Sequence, residues 1–213
     1  MDNLGGVKMF VFSFSKKIFK KFYNNFKKFK FIAESLRDQS TSIEKNVYIS
    51  NDSVVGRHCY INEYTRVTKA TIGNFVSIGN NVAIGQGEHP ISKLSTSTYF
   101  IKNPYDILTQ NVCKVGNDVW LGSYSFIKRG VTIGDGAVIG THAVVLKDVP
   151  DYAIAVGVPA KVIGYRFPKP VISELKKIKW WYWSDQKIKK NMNLFQDDLT
   201  MDMFDKIKKF YDD

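Results

Sequence analysis

Aliphatic residues recur along this chain at intervals of six. They fall at Ile43, Ile49, Val55, Ile61 and Val67, then after one five-residue step at Ile72, Ile78 and Ile84. A gap follows, and the series resumes at Val115, Leu121, Ile127, Ile133, Ile139 and Val145. A period of six is neither the 3.6 of a helix nor the 2 of a simple strand. It is the signature of a parallel β-helix built from hexapeptide repeats. The second place of each hexad is often glycine, as at Gly56, Gly73, Gly79 and Gly116, and the fifth is small or β-branched, as at Val76, Val82, Ser125 and Ala137. The pattern predicts that the first place fills the core and that the fifth has little room beside it. It also predicts that the second-place glycine relaxes the backbone at a corner. Three hexads then make one triangular coil, and stacked coils pair as parallel strands about 4.8 Å apart.

A β-helix has open ends that need covering. In residues 1–40, Phe19, Phe22, Phe26 and Phe29 are spaced as on a helix, with lysines between them. After Val149 the hexad is lost, Pro168 and Pro170 punctuate, and "VISELKKIKWWYWSDQKIKKNMNLF" predicts a helix. A last amphipathic stretch, "DLTMDMFDKIKKFYDD", follows. The organisation expected is a basic aromatic helical segment at 1–40, a β-helix at 41–165 with an extruded loop at 86–111, and a helical segment at 166–213.

Charge changes the picture at one end only. Residues 1–40 hold nine Lys/Arg against three acids, which is +6 of the chain's net +11. Residues 8–32 therefore have two leading readings: a cap that buries its Phe stripe, or a helix lying on an anionic membrane surface. The two are compatible. Lysine runs without a fold motif are weak grounds for nucleic-acid binding, and none is expected. Cys59 and Cys113 do not make a disulfide framework and fit a reducing, cytoplasmic setting. No apolar run approaches the ~20 residues of a membrane span. The opening residues have neither a basic n-region nor a small-residue cleavage site, so no signal peptide is expected.

Several stretches together carry a resemblance. "GEHP" stands at the mouth of the gap, "VWLG" and "GVPAKVI" follow in the second half, and "KWWYW" lies in the tail. Over roughly residues 43–195 the chain resembles the hexapeptide-repeat acetyltransferases, in their xenobiotic acetyltransferase branch. That branch includes chloramphenicol and streptogramin acetyltransferases and many surface-polysaccharide O-acetyltransferases. The resemblance implies a left-handed winding and a homotrimer with active sites between neighbouring β-helices. It also implies acetyl-CoA as co-substrate. His58, His89 and His142 lack the clustered spacing of a zinc site such as that of hexapeptide-repeat carbonic anhydrases, so no metal is expected.

Transfer from a thioester to a hydroxyl needs a general base, and an imidazole with a pKa of about 6.5 is suited to that task. His89, just off the lattice in "GEHP", is the expected base. His58 and His142 occupy fourth places and are expected to be solvated or subunit-facing corners. Cys59 is expected in the core, and Cys113 has no histidine beside it in sequence to take its proton. A backbone N–H near Trp120–Ser123 is the expected oxyanion donor.

For CoA, the resemblance implies Trp120 as a wall of the pantetheine channel. It implies backbone contacts at Ser123 and Thr141, and Lys147 and Lys161 facing the nucleotide phosphates. Pro159 fixes the turn that presents Lys161, and Gly122 and Gly140 are corners that also touch the ligand. For the acceptor, Tyr60, Asn62 and Tyr64 lie in the N-terminal rungs, with Tyr99 and Phe100 on the loop. The loop keeps an aromatic pair but lacks the Arg or Asp usual soon after the histidine in the antibiotic enzymes. A sugar hydroxyl of a surface polysaccharide or its precursor is therefore the expected acceptor. An antibiotic, an amino group on a nucleotide-linked sugar, and a non-catalytic scaffold are the alternatives.

Overall fold

A computed structural model of the chain describes residues 40–196, 198 and 199. The expected N-terminal helix, and the last amphipathic stretch beyond Leu199, lie outside the described residues. What is described is a left-handed parallel β-helix with three faces. Its first sheet runs β1 (Ser42–Ile43), β4 (Tyr60–Ile61), β7 (Ser77–Ile78), β10 (Trp120–Leu121), β13 (Val138–Ile139), β15 (Ala153–Val156) and β16 (Lys161–Tyr165). Its second runs β2 (Tyr48–Ile49), β5 (Arg66–Val67), β8 (Ala83–Ile84), β11 (Phe126–Ile127) and β14 (Val144–Val145). Its third holds β3 (Val54–Val55), β6 (Ala70–Ile72), β9 (Cys113–Val115) and β12 (Thr132–Ile133).

The lattice explains the register. Ile43 pairs with Ile61, Ile61 with Ile78, Ile78 with Leu121 and Leu121 with Ile139. The second face stacks Ile49, Val67, Ile84, Ile127 and Val145, and the third stacks Val55, Ile72, Val115 and Ile133. First-place residues thus form three aliphatic ladders on one axis, and all but the half-buried Ile43 are buried. A slip of one residue would turn every ladder outward. β16 runs antiparallel to β15 and folds the chain back over the last coil.

The glycines do a different job from the one predicted. Among the second-place glycines only Gly85 has a positive φ. The left-handed residues are instead mostly at the fourth place, where His58, Tyr64, Phe75, Asn81, Asp118, Tyr124, His142 and Tyr152 all have φ near +55 to +61°. The second-place glycines answer to close stacking of coils. A Cβ on Gly122 would sit 2.5 Å from Thr141 N, and one on Gly134 would sit 2.4 Å from Asp151 N.

The C-terminal segment also departs from the single helix predicted. It breaks into α2 (Lys169–Ile178), a 3-10 turn at Trp180–Tyr182, α3 (Asp185–Lys190) and a further 3-10 turn at Met192–Phe195. The break comes at Lys179, which is left-handed at φ 44° and closes α2 through its N–H to Leu175 O. Ser184 then caps α3, accepting from Lys187 N. The fracture lets Trp181 bury fully against Tyr152, Val171 and Leu175 along one corner of the prism, with Trp180 packed at its edge. His58 is part of this seam rather than a solvated corner. Its ring lies 4.8 Å from that of Phe75, and its Nε2 is 2.9 Å from Asp185 Oδ1.

Candidate active site

The three faces meet at three corners, and the candidate residues divide between them. The second corner, between the second and third sheets, is where the lattice opens. Gly85 leaves the wall at φ +62°, and the chain returns at β9. Between them stand a 3-10 turn at Thr98–Phe100 and α1 (Pro104–Leu108). The loop is closed at its base by Glu88 N–H donating to Leu108 O at 3.0 Å. Tyr105 Oη donates to Asp52 Oδ1 at 2.8 Å, tying α1 to the first coil. Burial pushes the Asp52 carboxyl upward, but hydrogen bonds from Ser50 and Tyr105 outweigh it and hold it below the usual carboxylate range.

His89 is exposed at this mouth, and its Nδ1 lies 2.7 Å from Thr96 O. A carbonyl can only accept, so Nδ1 carries the proton of the neutral ring and Nε2 keeps its lone pair. Nε2 has no hydrogen-bond partner among the described residues. Tyr99 and Phe100 sit farther along the loop, edge to face at 5.0 Å, and both are largely exposed.

The first corner, between the first and second sheets, gathers most of the residues expected at CoA. Trp120 opens β10 and is 55% exposed, which is unusual for so large an apolar ring. Ser123 and Thr141 take equivalent third places in successive coils. Gly122 and Gly140 lie just before them and allow the coils to approach closely. The N–H groups of Trp120 and Gly122 are taken up by Ala137 O and Ile139 O at 3.0 and 2.7 Å. Those of Ser123 and Thr141 have no acceptor among the described residues. Two backbone donors, one coil apart, thus point away from the wall's own ladder.

Pro159 follows a cis peptide bond in the turn between β15 and β16. That turn is held to Val144 by Val144 N–Gly157 O at 3.0 Å and Ala160 N–Val144 O at 2.8 Å. Lys161 begins β16, while Lys147 lies one side further on, at the second corner, and both are exposed. Tyr60 opens β4, and Asn62 and the left-handed Tyr64 follow at the first corner of the second coil. Asn62 Oδ1 accepts from Glu63 N at 2.8 Å, so one of its acceptor sites is occupied.

One chain therefore does not bring the whole set together. His89, Tyr99 and Phe100 extend from the second corner, whereas Trp120, Ser123, Thr141, Tyr60 and Tyr64 line the first. Among the described residues no hydrogen bond or ring contact joins the loop to the first corner. The three histidines are likewise dispersed. His58 is on the third corner, His142 stacks on Tyr124 at the first, and His89 is on the loop. Both cysteines are buried, and burial pushes the Cys113 thiol up, which disfavours the thiolate a nucleophile would need.

Two features were not anticipated from sequence. The third corner carries a ladder in which Asn74, Asn117, Asp135 and Asp151 each cap the N–H of the coil before, at 2.7–3.0 Å. Its signal was visible as Asn or Asp recurring at third places. Arg129, by contrast, is buried behind the loop and looks in sequence like one more surface cation.

The bacterial transferase hexapeptide (six repeats) family matches residues 113–147. A chloramphenicol acetyltransferase of Agrobacterium fabrum is 41% identical over 139 residues, covering 59% of this chain and 66% of that relative. A maltose O-acetyltransferase from Clostridium difficile 630 superposes with a TM-score of 0.55 at 26% identity, covering 72% of this chain and 90% of that one. The chain carries the repeats of that transferase family and is similar to acetyltransferases built from them. Another solved relative of this family is a galactoside acetyltransferase in complex with coenzyme A, with a TM-score of 0.50 at 25% identity and coverage of 81% and 90%. The chain spans slightly less than two thirds of the length of the curated chloramphenicol acetyltransferases it matches.

Proposed function

We propose that this protein is an acetyl-CoA-dependent O-acetyltransferase acting on a hydroxyl of a sugar, in a surface polysaccharide or its precursor. The observation that carries the reading is the exposed His89, whose Nδ1 is spent on the Thr96 carbonyl while Nε2 has no hydrogen-bond partner among the described residues. Nε2 takes the hydroxyl proton as the oxygen attacks the thioester carbonyl carbon. The tetrahedral oxyanion is met by a backbone donor, for which the open N–H of Ser123 is the candidate. When the C–S bond breaks, the thiolate of CoA recovers the proton from His89, and the base is regenerated.

Acetyl-CoA lies along the first corner in this reading. A pantetheine amide accepts from Thr141 N–H, Ser123 N–H meets the thioester end, Trp120 walls the channel, and Lys147 and Lys161 face the phosphates. Residues 41–165 carry the reaction, and the segment from 166 braces the third corner. Because the loop and the first corner stand apart in one chain, a neighbouring copy completes each site. A homotrimer in the cytoplasm supplies that arrangement, with peripheral membrane contact through residues 8–32. Support for a sugar acceptor comes from the maltose and galactoside enzymes among the relatives. The antibiotic reading keeps one specific support, the 41% identity with a chloramphenicol acetyltransferase.

The test is free-thiol release from acetyl-CoA with hexoses, polysaccharide fragments, amino sugars, chloramphenicol and a streptogramin as acceptors. Turnover with a hexose or polysaccharide is expected, and turnover with chloramphenicol alone would establish the second reading. His89→Ala is expected to fold and assemble normally while losing about 10²–10⁴-fold in kcat. Near-normal turnover in that variant would remove His89 from the role of base.

A further inference from the structure

The second corner holds a buried cation that the proposed chemistry does not use. In the third coil the chain leaves at Gly85 and returns at Asn111, so this coil has no corner of its own. The coil beneath is one residue short at the same corner, with Lys69 left-handed at φ 45°. Arg129, from the coil above, fills the missing corner. The residue is only 6% exposed. Nη1 donates to Lys69 O at 3.2 Å and to Asn111 O at 2.9 Å, and Nη2 donates to Thr68 O at 2.9 Å. Neighbouring coils lie about 4.8 Å apart, so this reach from the fourth coil to the second spans about 10 Å.

Both feet of the loop rest on this guanidinium. The re-entry foot is bonded to it through Asn111 O. The exit foot packs on it, since a Cβ on Gly85 would meet Thr68 O at 2.8 Å and Arg129 Cζ at 3.3 Å. The next residue, Gly130, leaves room for Asn111, whose Cβ would lie 2.9 Å from a Cβ there. Among the described residues no carboxylate pairs with Arg129, and its buried Nε has no partner. Burying a cation against carbonyls alone is unfavourable for a mere filler. A planar fork that bonds several carbonyls from two segments at once is what only arginine offers.

We propose that Arg129 is a positioning residue that clamps the feet of the 86–111 loop and thereby sets where His89 stands. This rests on the reading of His89 as the base, but its first test does not. Hydrogen exchange of the Glu88 amide, which is bonded to Leu108 O, reports on the loop base directly. In Arg129→Ala the expected result is at least tenfold loss of protection there, with the first and fifth coils unchanged. On the proposed reaction, kcat is expected to fall about 10–100-fold, since small misplacements of a reacting group are costly. The KM for acetyl-CoA should stay within twofold. Free guanidinium ion at low, non-denaturing concentration is expected to restore part of both signals.

Protection and kcat within twofold of the parent would overturn the proposal, as would an equal loss of protection over all coils. If Arg129→Ala does not fold, Arg129→Lys decides. It keeps the charge without the fork and is expected to loosen the same amide to a lesser degree, and an unchanged amide there overturns the clamp. Should the parent protein transfer no acetyl group at all, the proposed reaction falls while the exchange result still decides the clamp.

Discussion

The first and third corners of this prism are built from the same repeat and differ in one position. At both, the fourth-place residue is left-handed and its N–H bonds to the coil before, as with His142 N to Ser123 O and Tyr152 N to Asp135 O. At the third corner the third-place N–H is also capped, by an Asn or Asp from the next coil. In the fourth and fifth coils of the first corner the corresponding residues are Ser123 and Thr141, and no side chain among the described residues reaches those donors. One corner is thereby closed and serves as a bed for the C-terminal segment. The other leaves the N–H groups of Ser123 and Thr141 without an acceptor among the described residues, and such donors suit a ligand made of amides and a thioester. In the fourth and fifth coils the edge that carries Asp at the third place is closed, and the edge that carries Ser and Thr there is open.

The largest effect is expected where the closed corner is opened. Asn117 is buried, accepts from Asn74 N at 2.9 Å and donates through Nδ2 to Asp135 Oδ1 at 2.9 Å. Asn117→Ala leaves a buried N–H unpaired and is expected to cost about 1–3 kcal/mol, read as a lower denaturant midpoint. The KM for acetyl-CoA should not move. The converse change closes the open corner. Thr141→Asn places an acceptor over Ser123 N, in the way Asn117 stands over Asn74. The KM for acetyl-CoA is expected to rise about tenfold, or about 1.4 kcal/mol, with stability unchanged or improved. If both substitutions altered stability and affinity alike, the division between the corners would be lost.

The smallest effect concerns the second corner, where the loop is tied rather than walled. Tyr105→Phe removes the bond to Asp52, a partly exposed contact worth about 0.5 kcal/mol. It is expected to speed amide exchange in α1 without changing the global midpoint. Asp52 is held below its unfolded value, so the tie contributes stability above the unfolded carboxylate range and loses it as pH falls through the folded value. The difference between parent and variant should therefore be present at pH 7 and vanish in acid. A difference that grew in acid would contradict the assignment.

How far the sequence led follows from what kind of physics each part obeys. The aliphatic ladders were legible because one side chain every six residues faces the axis, and the register of Ile61 on Ile78 or Leu121 on Ile139 follows from counting. The loop was legible as the place where counting fails. The role of glycine was misjudged, because whether Gly122 turns the chain or admits Thr141 from the next coil depends on contacts between coils. The fracture at Lys179 was hidden for a similar reason. Burying Trp181 against Tyr152 outweighs helical continuity, and Tyr152 lies 29 positions earlier in the chain. Arg129 was invisible for want of any local signal, since its partners at 68, 69 and 111 are distant in sequence and contribute only backbone carbonyls.

The most direct test of the open corner is residue-resolved amide hydrogen exchange with and without CoA. Without ligand, the amides of Ser123 and Thr141 are expected to exchange quickly while those of Asn74 and Asn117 are protected. Saturating CoA should slow Ser123 and Thr141 and leave Asn74 and Asn117 as they were. Binding of CoA that left Ser123 and Thr141 unchanged, or that protected the third corner instead, would contradict the account.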